Sequence, residues 1–108
     1  MFRIIDETQR LIGELAGIVR LIERHDADLG CQIRRAATSI ALNLAEGSAR
    51  TGKDRLRMYR IARGSALEVL AALTTAVSWR HLTSEQAQSA LEAADTVCRM
   101  SAGLVAPR

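Results

Sequence analysis

Residues 39–47 read SIALNLAEG, and this stretch indicates how the chain folds. Apolar residues recur through it at the three- and four-residue spacing of a helix and predict one buried stripe: Ile33, Ala37, Ile40 and Leu44. Asn43 and Glu46 lie three residues apart on a neighbouring sector of the same helix. Gly47 follows, and glycine favours the left-handed conformation that ends many helices. The stretch therefore predicts a helix end at which polar side chains lie beside apolar packing.

The composition favours a small helical protein. The chain has 108 residues, enough for one domain with one core over residues 1–108. Hydrophobic residues make up 48% and aromatic residues only 3%, so Leu, Ile, Val and Ala must fill the interior. Such a core favours close packing of helices. No run of about 18 uncharged apolar residues and no secretory signal pattern is present, so we expect a cytoplasmic protein without membrane association.

Two cysteines are present, Cys31 and Cys98, and they lack CxxC spacing. In a reducing cytosol, isolated cysteines usually behave as small apolar residues. We therefore expect both thiols to be buried and free of a disulfide.

The periodic pattern predicts four helices, over about residues 3–24, 30–46, 53–79 and 84–104. Thr51 with Asp54 and Thr83 with Gln86 have the spacing of a capping box at the start of the last two helices. The connections are short, and short connections imply antiparallel neighbours. The expected fold class is all-α, an antiparallel up-down four-helix bundle.

The third predicted helix carries apolar residues on two sides. One set comprises Leu56, Tyr59, Ala66, Leu67, Leu70, Leu73 and Val77. The roughly opposite set comprises Met58, Ile61, Val69, Ala72, Ala76 and Trp79. A chain of this length offers little else to cover both sides, so the second set predicts an interface in a homo-oligomer. Alternatively, its alanines are neutral surface residues and Trp79 packs under a loop.

Cations cluster at the start of the third helix. The chain has a net charge of +3 and a sequence pI near 9.5, which favours anionic partners. Arg50, Lys53, Arg57 and Arg60, here called the basic strip, are predicted to share one flank and to contact phosphates of RNA or DNA. The alternative is a solvated helix face without a partner.

Two sequence motifs resemble those of a known family. Residues 32–40 (QIRRAATSI) followed by Asn43 to Gly47 resemble the 23S rRNA intervening-sequence proteins, and residues 61–65 (IARGS) with Glu68 are similar to the second signature of that family. The resemblance implies an antiparallel up-down bundle that assembles as a ring, typically a pentamer. A related branch comprises the accessory variability proteins of diversity-generating retroelements. The resemblance to that branch implies a basic pentamer that binds nucleic acid and a reverse transcriptase.

The resemblance assigns the motif positions to Asn43, Glu46, Arg63, Ser65 and Glu68. We expect structural roles: a buried Glu46 carboxylate would require Arg63 or Arg50 as its partner, and Asn43 would bind a polar group of a neighbouring helix. Gly64 would let another helix approach closely. The alternative is a binding site around Glu46 and Arg63.

Signs of catalytic or metal chemistry are missing from the sequence. Neither His25 nor His81 follows a glutamate by three residues, as the carboxylate-bridged metal sites of helical bundles require. The cysteines lack zinc-site spacing, and Ser39 and Ser65 lack a nucleophile elbow. We therefore expect no enzymatic activity, no metal and no cofactor.

These observations predict a non-enzymatic homo-oligomer, pentameric by its resemblance, that serves as a nucleic-acid or ribonucleoprotein accessory. The expected partners are further copies of the chain, RNA or DNA, and a reverse transcriptase or another protein. The alternative is a protein-interaction scaffold that binds no nucleic acid.

Overall fold

The computed structural model describes residues 2–107 and contains four helices. These are α1 (Phe2–Glu23), α2 (Ala27–Ser48), α3 (Gly52–Ser78) and α4 (Ser84–Val105). No strand occurs within the described range. The prediction of an all-α fold with four helices is therefore confirmed, although α2 begins three residues before and ends two residues after its predicted bounds.

The early start of α2 has a local cause in the residue before it. Asp26 has an extended backbone, and its carboxylate accepts a hydrogen bond of 3.0 Å from the backbone N–H of Leu29. A carboxylate in this position satisfies an N–H group that has no partner within the helix. The polar turn after α1 therefore ends directly in a capped helix.

The two predicted capping boxes have different outcomes. At α4, the hydroxyl of Thr83 accepts from the backbone N–H of Gln86 at 3.1 Å, and the Gln86 side chain accepts from the backbone N–H of Thr83 at 2.9 Å. At α3, the Thr51 side chain makes no capping hydrogen bond, and the Asp54 carboxylate binds two arginines instead. The prediction is confirmed at α4 and wrong at α3, where the Asp54 oxygens bind Arg50 and Arg57.

Gly47 does not end α2, contrary to the expectation from its sequence. It lies buried inside the helix, and a Cβ atom built on it would meet Tyr59 Cε1 at 2.5 Å and Met58 Cβ at 3.2 Å. The missing side chain thus lets the Tyr59 ring lie directly against the α2 backbone. The left-handed glycine of this region is Gly52, with φ of +58°, at the start of α3.

Gly64 also differs from its expected role. A Cβ atom built there would meet nothing within 4 Å, and the residue is exposed. No helix among the described residues makes the close approach that was expected at Gly64.

The core lies between all four helices. Each helix packs against the next in the chain, and α1 also packs against α4. The largest fully buried apolar side chains are Leu11, Val19, Ile22, Ile33, Ile40, Leu44, Val69, Leu73 and Val97. Ten alanines of α2, α3 and α4 join them in the core: Ala36, Ala37, Ala62, Ala66, Ala72, Ala76, Ala87, Ala90, Ala93 and Ala94. Small side chains of this kind allow the helix backbones to approach closely.

The burial of α3 corrects the prediction of two separate apolar faces. Val69, Ala72 and Ala76 are buried in the chain's own core and are not available to a second copy. Because α3 packs against both α2 and α4, its buried arc is wide enough to include these three residues. Of the six predicted interface residues, Met58 is half-buried, and Ile61 and Trp79 are exposed.

The α3 helix also has the length and composition of a membrane span. It includes an 18-residue window with a mean hydropathy of 1.2, of which 39% is buried inside the structure. The core helix of a water-soluble bundle passes the same test. The buried residues of α3 face its helical neighbours, which accounts for this composition.

The turns after α1 and after α3 lie together. The imidazole rings of His25 and His81 stack with their centroids 5.2 Å apart and their planes within 3°.

The two cysteines are free: Cys98 is buried, and burial raises the pKa of its thiol. Cys31 is exposed, so the expectation that both would be buried is wrong for this residue.

The contrast between the two glycines gives a stability test. We expect Gly47→Ala to lower the free energy of unfolding by about 1–3 kcal/mol, because the new methyl group must displace the buried Tyr59 ring. Gly64→Ala is the control and is expected to raise that free energy by roughly 0.5–1 kcal/mol, because alanine has the higher helix propensity. Urea unfolding followed by circular dichroism measures both, and equal stabilisation by the two substitutions would contradict the packing role of Gly47.

Candidate nucleic-acid interface

The basic strip lies on the outer surface where α2 turns into α3. Arg50 belongs to the turn, and Lys53, Arg57 and Arg60 follow on α3 with their side chains exposed. The spacing of four and three residues places the α3 cations on one helix face. Leu56 and Ile61 flank them and line the same shallow depression. The structure therefore brings the four predicted cations into one surface region.

Two of these cations are already paired with carboxylates. Arg50 Nη2 lies 3.2 Å from Glu46 Oε2, and Arg50 Nη1 lies 2.8 Å from Asp54 Oδ2. Arg57 Nη2 lies 3.1 Å from Asp54 Oδ1. Glu46, Arg50, Asp54 and Arg57 thus form a continuous ion-pair chain along one side of the strip. In the described part of the chain, neither Lys53 nor Arg60 belongs to an ion pair.

Two groups of the ion-pair chain, Asp54 and Arg50, have pKa values shifted in the direction that favours their charged forms. Hydrogen bonds from Arg57 and then from Arg50 hold the pKa of the Asp54 carboxyl below its usual value. The same carboxylate raises the pKa of the Arg50 guanidinium. Asp54 therefore remains an anion through the neutral range and partly neutralises the strip.

Arg55 lies beside the strip but has a structural role. Its Nε donates to the carbonyl of Gly47 at 3.1 Å, and its Nη2 donates to the carbonyl of Ser48 at 3.3 Å. These carbonyls belong to the last turn of α2, where no further helical N–H groups are available. Arg55 thus fixes the end of α2 against the start of α3 and holds the strip in place.

Glu46 and Arg63 do not form the common site that was considered from the sequence. The Glu46 side chain is 55% exposed and pairs with Arg50, so the expectation of a buried carboxylate is wrong. Arg63 Nη1 instead donates to the carbonyl of Cys98 at 2.6 Å and connects α3 with α4. The two side chains have different partners. Glu68, another motif position, is exposed.

Asn43 and Ser65 meet through Ser39, whose linking role was not predicted. Asn43 Nδ2 donates to the carbonyl of Ser39 at 2.9 Å and contacts its Oγ at 3.1 Å, so it binds its own helix and not a neighbour as expected. Ser65 Oγ donates to Ser39 Oγ at 2.9 Å. This polar cluster pins α2 to α3. Its sequence signal was available, because Ser39 precedes Asn43 by one helical turn in the opening motif.

Exposed apolar side chains flank the contact between α2 and α3. Leu42 is 62% exposed and Ile61 is 41% exposed. Leu42 follows Ser39 by three residues and Ile61 precedes Ser65 by four, so each lies within about one helical turn of the hydrogen bond between the two serines, on what is here called the α2–α3 seam. Sequence periodicity missed Leu42, since it lies off the buried stripe of α2.

A second depression was not predicted. It has a volume of about 700 Å³ and lies between the start of α3 and the end of α4. Its lining comprises Gly52, Arg55, Leu56, Tyr59, Arg60, Gly103, Leu104, Val105, Ala106 and Pro107.

Among residues 2–107, no three His, Cys, Asp or Glu side chains are grouped so that they could hold a metal ion.

Substitutions of Arg63 and Arg60 distinguish an arginine that stabilises the fold from one that lies on the surface. We expect Arg63→Met to lower the free energy of unfolding by about 1–3 kcal/mol, because it removes a charged donor from the partly buried contact with α4. Arg60→Met removes the same charge from an exposed position and should change stability by less than about 0.5 kcal/mol. Chemical denaturation measures both values, and an equal effect of the two substitutions would refute the structural role of Arg63.

Comparison with known proteins agrees with this architecture. The sequence matches the profile of the family described as 23S rRNA-intervening sequence protein over residues 3–103. The fold is similar to the 1.70 Å crystal structure of a protein with unknown function from the S23 ribosomal protein family of Bacteroides thetaiotaomicron VPI-5482. The TM-score is 0.84 at 18% identity, covering 96% of this chain and 99% of the other, so this likeness concerns the fold alone. No curated protein matches the sequence significantly. Because the family profile spans nearly the whole sequence, this chain belongs to the 23S rRNA-intervening sequence protein family.

Proposed function

We propose that this chain is a non-enzymatic, cytoplasmic homo-oligomer that binds RNA or DNA through repeated copies of the basic strip. The observation that carries the proposal is the exposed run of cations from Arg50 to Arg60 on one surface. The family description refers to an intervening sequence of 23S rRNA and names no binding partner, so the proposal depends on this surface. The protein would act as an accessory to a ribonucleoprotein or to another nucleic-acid complex.

The dimensions of the strip suit a phosphodiester backbone. Lys53 and Arg60 are seven residues apart, which corresponds to about 10 Å along a helix. That length reaches roughly two or three phosphates of one strand. So few contacts give weak binding that is sensitive to salt. Several copies of the strip in one assembly would raise the affinity through multivalency.

The α2–α3 seam is the surface that we assign to assembly. Leu42 and Ile61 are exposed there beside the partly buried polar cluster of Ser39, Asn43 and Ser65. A second copy that covers this seam would remove both apolar side chains from water and would lie beside the basic strip, because Ile61 lines the same depression as Lys53 and Arg60. The same surface replaces the predicted interface that included Val69, Ala72 and Ala76. We keep the ring and the pentamer as part of this proposal, on the strength of the family resemblance.

An antiparallel up-down order of the four helices belongs to the same proposal. The connections between the helices are short, and the particle measures 42 × 21 × 20 Å, close to the length of one helix in its long dimension. The stacked rings of His25 and His81 bring the first and third turns to one end. These three facts support this order.

Electrophoretic mobility shift tests the binding role. We expect the wild-type protein to shift a 20-base-pair RNA duplex at low salt, with affinity that falls steeply as salt rises. Arg57→Glu with Arg60→Glu should abolish the shift, because two phosphate contacts become repulsive. The matched control is Arg10→Glu with Arg99→Glu, which reverses two exposed cations outside the strip. Absence of any shift by the wild-type protein at low salt, for RNA and for DNA, would refute the proposal.

Light scattering after size exclusion tests the assembly. We expect a wild-type mass of several copies and a smaller species for Leu42→Glu with Ile61→Glu, because two charges would be buried at the seam. Leu67→Glu is the control: Leu67 is 44% exposed, nearly the same as Ile61, but lies on another side of α3. A single-copy wild-type protein would contradict the assembly, as would equal disruption by the control.

A protein-interaction scaffold is the second candidate. The observation that favours it is the pairing of Arg50 and Arg57 with carboxylates, which leaves fewer cations for phosphates. In that case a specific protein would bind after nuclease treatment, and the Arg57→Glu and Arg60→Glu substitutions would not release it. A pull-down with this protein and the captured partner, each purified, measures that binding directly.

A further inference from the structure

We propose that Asp54 attenuates the basic strip, so that only an extended polyanion, which supplies several phosphates at once, engages all four cations. This inference rests on the proposed binding of nucleic acid and adds a preference among anions. In the unbound state the strip offers Lys53 and Arg60. Arg57 becomes available when phosphates displace the Asp54 carboxylate, and Arg50 when they displace the Glu46 carboxylate as well.

The geometry of Asp54 supports the attenuation. Each carboxylate oxygen binds a different guanidinium: Oδ2 lies 2.8 Å from Arg50 and Oδ1 lies 3.1 Å from Arg57. Three further ion pairs occur between residues 2 and 107, and each joins one arginine to one carboxylate. A single substitution at Asp54 therefore changes the environment of two cations of the strip.

The contacts are weak enough for a ligand to exchange. The side chains of Arg50, Asp54 and Arg57 are 47%, 40% and 62% exposed. Exposed ion pairs of this kind contribute little, because water and salt screen them. Phosphate oxygens form charge-assisted hydrogen bonds with guanidinium groups in the same way as carboxylate oxygens do. A phosphodiester backbone can therefore take over the arginines without any change of fold.

The exchange discriminates between isolated and linked phosphates. A single phosphate that meets Lys53 and Arg60 gains little and must compete with Asp54 for each further contact. A strand that is already held by these two residues presents its next phosphates to Arg50 and Arg57 at high effective concentration. Inorganic phosphate should therefore compete poorly with a nucleic-acid strand for the strip.

Fluorescence anisotropy with a labelled 20-base-pair RNA duplex tests the inference. We expect Asp54→Asn to bind about tenfold more tightly than the wild-type protein at low salt, with a salt slope steeper by roughly one to two. Asp95→Asn is the matched control, since it makes the same change of charge and frees Arg99 outside the strip. Asp54→Ser serves as a second variant that keeps a polar side chain in the first turn of α3. Melting temperatures of all variants establish that they are folded.

The possible outcomes are distinct. If the wild-type protein binds and Asp54→Asn is no tighter than Asp95→Asn, the attenuation is refuted and the proposed function stands. If no variant binds at low salt, both proposals fail. In a chain with Arg50→Ala and Arg57→Ala, Asp54→Asn should no longer strengthen binding. Strengthening in that background would also overturn the inference, because the effect would then come from net charge alone.

Discussion

The close approach of α2 and α3 is the constraint on which the rest of the structure depends. Gly47 leaves room for the Tyr59 ring against the α2 backbone, and alanines line much of the adjoining core. The Ser39–Ser65 hydrogen bond fixes the two helices at one level, and Arg55 closes the end of α2 against the start of α3. These contacts set the course of the turn between the helices and thereby the position of the basic strip.

The arginines of this region have different roles because their positions on α3 differ. Arg55 points back toward the last carbonyls of α2, and Arg63 points across to a carbonyl of α4. The side chains of Arg57 and Arg60 are exposed, and Arg57 pairs with Asp54 on its own helix. A count of cations therefore overstates the charge that is available to a ligand. Only the arrangement of helices shows which cations support the fold and which face solvent.

The sequence predicted the elements well and their mutual contacts less well. Apolar periodicity found all four helices, and the Thr83–Gln86 spacing predicted a cap that the structure contains. Periodicity cannot show how wide an arc the neighbouring helices cover, so Val69, Ala72 and Ala76 were assigned to the outside although they are buried. Gly47 was predicted to end its helix because glycine is common at helix ends. That local rule takes no account of Tyr59, whose ring packs against Gly47 in the folded chain. The exposed Leu42 gave no signal, since a single apolar residue off the stripe is unremarkable in a helix.

Asp54 shows how the failure of a local rule connects with the proposed function. By spacing alone, this acidic residue belongs to a capping box with Thr51, and its position in the first helical turn is favourable in any case. In the folded chain its oxygens bind Arg50, which lies in the turn, and Arg57, which lies on the helix. The carboxylate that was expected to stabilise one helix end therefore sets the charge of a surface instead. Electrostatic binding through few phosphates favours no particular polyanion, and a carboxylate that must be displaced raises the number of simultaneous contacts that a ligand has to offer. In an oligomer that presents the strip several times, only a long strand could reach several copies at once. Attenuation by Asp54 and assembly of the chain would therefore both favour long polyanions over short ones.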